Sequence, residues 1–129
     1  MSYYFNKTVR GSFDQVLGRT VEAFKAEGFG VLTEIDVKET LKKKLAVDFR
    51  PYRILGFCNP PFAYRALQAE DKIGTMLPCS VVVQQAGEDL VEVAAIDPAA
   101  SMQAVGNESL RIIAEEVRAK LQRAVQSLG

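Results

Sequence analysis

Ser80-Val81-Val82-Val83-Gln84-Gln85 and Leu90-Val91-Glu92-Val93-Ala94-Ala95-Ile96 flank the turn Ala86-Gly87-Glu88-Asp89. The flanks are rich in β-branched residues and the join is short and turn-forming, so the pair predicts a β-hairpin. Asp97-Pro98 closes it. A hairpin makes neighbouring strands antiparallel, and the rest of the chain must be arranged around that fact.

Working back toward the N-terminus, Tyr3 to Val9 alternates as an opening strand and ends before Gly11. Ser12 then stands as an N-cap with Gln15 at the capping-box position. Phe13, Val16, Leu17, Val21 and Phe24 follow at helical spacing, and Gly28 occupies the stop position. From Phe29 to Val37 the odd positions Phe29, Val31, Thr33, Ile35 and Val37 share one side, a period of two that predicts a second strand. The lysine-rich segment Lys38 to Ala46 predicts a short helical or turn-like connection, and Tyr52 to Cys58 a third strand. Asn59-Pro60-Pro61 ends that strand and introduces a short helix from Phe62 to Ala69. Beyond the hairpin an irregular stretch runs to Gly106. A long helix then carries the stripe Leu110, Ile113, Ala114, Val117, Leu121, Val125 and Leu128. The pairs Arg111/Glu115 and Glu116/Lys120 support it at four-residue spacing.

The order strand, helix, four strands, helix lacks the regular alternation of a doubly wound sheet. The expected class is therefore α+β: one antiparallel sheet of about five strands with two main helices on one face. At 129 residues the chain fits one domain spanning 1–129 with a single core. Composition argues the same way, since 48% hydrophobic and 25% charged residues are close to the globular average.

Charge narrows the partners. Lys plus Arg equals Asp plus Glu at 16 each, so no global field draws the protein to nucleic acid or to an anionic membrane. The run Lys38, Lys42, Lys43 and Lys44, followed by Arg50 and Arg53, is expected to be a solvated connection and not a phosphate-backbone contact. No apolar stretch approaches a membrane span and the N-terminus lacks a signal-peptide pattern, so a cytoplasmic location is expected.

There is no histidine. That removes Ser/His/Asp and Cys/His nucleophiles, the commonest zinc ligand sets and a histidine proton shuttle. The two cysteines sit in Cys58-Asn59-Pro60-Pro61 and Leu77-Pro78-Cys79, each beside a proline turn at a strand end. If the third and fourth strands are antiparallel neighbours, Cys58 and Cys79 lie at one edge of the sheet. Three readings are open. Both cysteines can be small buried hydrophobes; they can carry thiol redox or sulfur chemistry, which needs an accessible thiolate; or the edge can form a ligand pocket from Cys58, Asn59, Pro60, Leu77, Pro78 and Cys79. No metal site is expected, because no CxxC spacing is present, and the residues name neither a cofactor nor a reaction. Gly28-Phe29-Gly30 ends a helix and starts a strand, the reverse of a dinucleotide motif. Carboxylates such as Glu34, Asp36, Asp48 and Asp97 are expected to be surface groups or turn caps.

Four segments taken in order, Gly28 to Val37, Ile54-Leu55-Gly56-Phe57-Cys58-Asn59-Pro60, Ile73-Gly74-Thr75-Met76-Leu77-Pro78-Cys79 and Asp97-Pro98, resemble the signatures of the bacterial and archaeal domain of unknown function 302 family. The resemblance spans nearly the whole chain. It implies a TATA-binding-protein-like arrangement and no established activity, and a shared fold supplies no function by itself.

Strand parity gives one more expectation. One sheet face should carry Val31, Ile35, Ile54, Cys58, Val81, Val83, Val91 and Val93 beneath the helices. The other should offer Leu32, Leu55, Phe57, Val82, Leu90 and Ile96, enough apolar surface to call for a homodimer. The expected function is thus a small-ligand-binding or otherwise non-catalytic module, with thiol chemistry or a dimeric interaction module as alternatives.

Overall fold

The computed structural model describes residues 2–129. A five-stranded sheet in the order β1-β5-β4-β3-β2 is antiparallel throughout. Its strands are β1 (Tyr4–Arg10), β2 (Gly30–Asp36), β3 (Tyr52–Cys58), β4 (Cys79–Gly87) and β5 (Leu90–Ile96). Helix α1 (Phe13–Lys25) carries the chain from one sheet edge to the other, and α5 (Glu108–Gln126) packs beside it on the same face. The class and the two main helices are as expected.

Local chemistry explains the helix ends. Ser12 and Gln15 form a reciprocal capping box on α1. Asn107 accepts from Leu110 N at the start of α5, and its Nδ2 donates to Ala69 O at 2.9 Å, tying α5 to the segment before β4. Asp97, 5% exposed, accepts from Ala99 N and pairs with Arg118 of α5 at 3.1 Å. That carboxylate heads a short helix α4 (Pro98–Ser101), where the sequence suggested only a turn and irregular chain.

The connections hold more helix than expected. Of the two forms expected for Lys38 to Ala46, the chain takes the helical one, α2 (Val37–Leu45) with Ala46 as its C-cap, and Asp36 caps its start by accepting from Glu39 N. It has no buried residue. Helix α3 (Pro60–Ala69) begins on the prolines themselves, because a missing N–H costs nothing in a first helical turn. A 3₁₀ turn over Asp71–Met76 then leads to β4.

Two corrections concern strand parity. Leu55 pairs with Val81 and Phe57 with Cys79, so Leu55 and Phe57 point under the helices, where they are 0% and 1% exposed. Phe57 stacks on Phe24 of α1 with centroids 4.7 Å apart. Ile54 and Cys58 take the opposite parity: Ile54 pairs with Ile35 and Val82 on the uncovered face. Both parities of β3 are apolar, and only its register with β4 decides between them. In β2 the single period of two is broken by an irregularity between Val31 and Thr33, at Leu32. A bulge of this kind reverses the sides taken by the residues after it, so Val31 and Ile35 do not share a face.

The uncovered face therefore exchanges Leu55 and Phe57 for Ile54 and Ile35, and it carries a polar cluster as well. Glu92 accepts from Asn6 at 2.9 Å and from Gln84 at 2.8 Å, and Gln84 accepts from Arg50 at 2.9 Å. Leu55 and Phe57, both expected on that face, are in the core instead. Along α5, Arg111 pairs with Glu108 at 2.6 Å and not with Glu115, while Glu116 reaches across to Arg65 of α3 at 3.4 Å and leaves Lys120.

Candidate functional site

The layer between sheet and helices is filled beneath α1 but not beneath α3. Where β3 ends and β4 begins, α3, the 3₁₀ turn, α4 and α5 border a half-open cavity of about 300 Å³. Its floor is Phe29, Phe57 and Cys79; Phe62, Ala63, Ala66 and Leu67 of α3 form one wall; Ile113, Ala114 and Val117 of α5 form another. Leu77, Pro78 and Met102 complete it. The volume is at the small end of ordinary ligand pockets and far beyond what one water needs.

The space follows from the sequence of α3. Its sheet-facing positions hold Ala63 and Ala66, and Gly74 and Ala114 add two more small residues to the lining. The large side chain that α3 does set against the core, Phe62, is only partly buried, whereas Phe24 and Val16 are 0% exposed under α1. Gly56 matters from the other side. A Cβ there would collide with Thr33 Oγ1 and Pro78 Cγ, so glycine lets the Leu77-Pro78 turn, with its cis peptide, close over β3.

Among the lining residues Asn59 has the only side-chain nitrogen or oxygen. It is 8% exposed, and its Nδ2 donates to Glu27 O at 3.2 Å, so the amide anchors the α1–β2 turn and does not cap α3. The rim is apolar as well: Leu32 at the β2 bulge and Leu67 on α3 both line the cavity and are 65% and 44% exposed.

Five of the six candidate residues meet in this wall, namely Cys58, Asn59, Leu77, Pro78 and Cys79. Pro60 does not, since it lies exposed at the start of α3. Both cysteines are free thiols. Burial first, and the neighbouring Cys58 second, push the Cys79 thiol up from 9.0 to about 11, so it stays protonated at neutral pH. An apolar environment disfavours the thiolate that nucleophilic or metal-binding chemistry requires. Among the described residues no group of three or more Cys, Asp or Glu side chains is placed to hold a metal ion, and no helix is long and apolar enough to cross a membrane.

The lining contributed by the helices was not visible as a site in the sequence. Ile113, Ala114 and Val117 stand in the apolar stripe of α5, and Ala63 and Ala66 read as helix-forming residues. The usable signal is a helix of small residues placed opposite large ones, which signifies a gap only once α3 is known to lie over the ends of β3 and β4.

Comparison with known proteins bears on the family and not on the ligand. Comparison with curated proteins finds no match. The crystal structure of an uncharacterized conserved protein DUF302 from Bacillus stearothermophilus is similar to this one over 100% of both chains, with a TM-score of 0.91 and 28% sequence identity. The family model described as "Domain of unknown function DUF302" matches residues 5–128. A match across nearly every residue from β1 to the end of α5 is not a shared motif but a shared whole, and the chain belongs to the DUF302 family.

Proposed function

We propose that the protein binds a small apolar ligand in the cavity between the β3–β4 end of the sheet and helices α3 and α5. The observation that carries this reading is the cavity itself, about 300 Å³ with Asn59 as its one lining side chain bearing a nitrogen or oxygen. Protein interiors are close-packed, and a space of this size lined by apolar atoms favours an apolar guest over water. Thiol chemistry is the weaker reading, because Cys79 is held protonated in the same wall.

Filling the space tests the proposal. Ala66 is 4% exposed and lines the cavity, so Ala66→Leu places a larger side chain where a guest would sit. The unmodified protein is expected to bind the neutral fluorophore N-phenyl-1-naphthylamine with a blue-shifted emission. The variant should bind it at least about tenfold more weakly while its melting temperature holds or rises, as cavity-filling changes do. Failure of the unmodified protein to bind, or undiminished binding by Ala66→Leu, would overturn the reading.

A further inference from the structure

The cavity wall has almost nothing with which to hydrogen-bond a polar group, so a polar head on the guest must lie at the mouth. Charge beside Phe62, a lining residue, is not symmetric. The ring of Phe62, which lines the cavity, carries the Arg65 guanidinium 5.3 Å and the Lys120 ammonium 5.9 Å from its centroid. Arg65 is paired with Glu116 at 3.4 Å. Lys120 has no ion-pair partner among the described residues, although Glu116 stands four residues before it on α5. The cluster of Arg65, Glu116 and Lys120 therefore keeps one positive charge over a ring that forms part of the cavity wall. Lys120 follows Val117, a wall residue, by nearly one helical turn, so its stem runs along the same side of α5.

We infer that the ligand is a single-chain amphiphile with a carboxylate head, its aliphatic tail in the cavity and its carboxylate beside Lys120. This rests on the cavity reading and adds a ligand class to it. The head group stays in contact with water, where a lone ion pair is worth little, so the effect on affinity is modest and sensitive to salt.

Displacement of N-phenyl-1-naphthylamine by decanoate and by decanol, measured for the unmodified protein, Lys120→Gln and Lys120→Arg, tests it. Decanoate is expected to bind Lys120→Gln about two- to fivefold more weakly than it binds the unmodified protein. Decanol should bind both equally, Lys120→Arg should retain decanoate, and added salt should shrink the decanoate difference. If decanoate, like decanol, displaces the fluorophore equally well from Lys120→Gln and from the unmodified protein, the head-group assignment falls and the cavity reading stands. If the fluorophore, decanoate and decanol all fail to bind the unmodified protein, the cavity reading falls and the carboxylate assignment with it.

Discussion

One layer lies between the sheet and its helices, and its two halves are built differently. Beneath α1, Val16 and Phe24 meet Val81, Val83, Val91 and Val93, and every one of these is 0% exposed. Beneath α3 the same sheet ends at a cavity of about 300 Å³, bordered by Phe62, Leu67 and Met102, none of them fully buried. Composition does not separate the halves, since both are apolar. Side-chain volume does: α1 lays fully buried phenylalanine and valine on the sheet, whereas α3 lays Ala63 and Ala66 with a partly buried Phe62 in its first turn. A helix with an apolar stripe thus either closes a core or roofs a pocket, depending on the size of what it carries.

The sharpest way to break this comparison is a charge in the closed half. Phe24→Asp removes the α1 ring that stacks on Phe57 at 4.7 Å and buries a carboxylate at a site 0% exposed and outside the cavity lining, so a loss of about 4 kcal/mol or more is expected. Circular dichroism should show an unfolded or aggregated chain. At the rim of the open half, Leu67 is already 44% exposed, and Leu67→Ala should cost less than about 1 kcal/mol. Similar losses from the two changes would mean that the halves are not distinct.

Cys79 lies where the halves meet, paired with Phe57 in the sheet and exposed to the cavity wall, and its ionisation reports whether the open half is dry. Burial raises its thiol from 9.0 to about 11 in the folded protein. A folded-state value above the unfolded one means that the folded protein keeps the proton longer. The resulting stability is fully present below about pH 9 and is lost as pH rises toward 11, in total about 2–3 kcal/mol. Chemical denaturation at pH 7, 9 and 10.5 should show this decline, and Cys79→Ala should show that much less of it. An identical pH dependence in Cys79→Ala would indicate a wetted cavity and a thiol near its ordinary value.

These two predictions lean on residues that the sequence placed unequally well. The hairpin, the capping box at Ser12 and the stripe on α5 were legible because each is a local pattern whose physics needs no distant partner. So was the meeting of Asn59 with Leu77-Pro78-Cys79, which follows once β3 and β4 are antiparallel neighbours. The side taken by Phe57 was not legible. Ile54, Leu55 and Phe57 make both parities of β3 apolar, and a shift of one residue against β4 exchanges the faces. The bulge at Leu32 is likewise a property of pairing, with no proline to announce it. The cavity was illegible for a further reason: it is an absence of volume, and Ala63 and Ala66 describe a good helix equally well whether or not anything fills the space beside them.

The lower bound of the comparison is set by an element that touches neither half. Helix α2 has no buried residue, and three of its four lysines are engaged locally. Lys43 pairs with Glu39 at 2.8 Å, Lys42 with Asp48 at 3.2 Å, and Lys38 donates to Phe49 O at 2.7 Å. The first two pairs are exposed, with side chains more than half accessible, and exposed pairs contribute from nothing to about 1 kcal/mol each. Replacing Lys42, Lys43 and Lys44 together by glutamine also relieves repulsion among three adjacent cations, so the net change in stability should fall within about 0.5 kcal/mol. Affinity for N-phenyl-1-naphthylamine should not move, since none of the three lines the cavity. The same variant tests the exclusion of nucleic acid: neither it nor the unmodified protein should retard duplex DNA or RNA at physiological salt. If the unmodified protein bound either with a steep dependence on salt and the triple variant did not, α2 would be a functional surface in its own right and the two-half account would omit the half that matters.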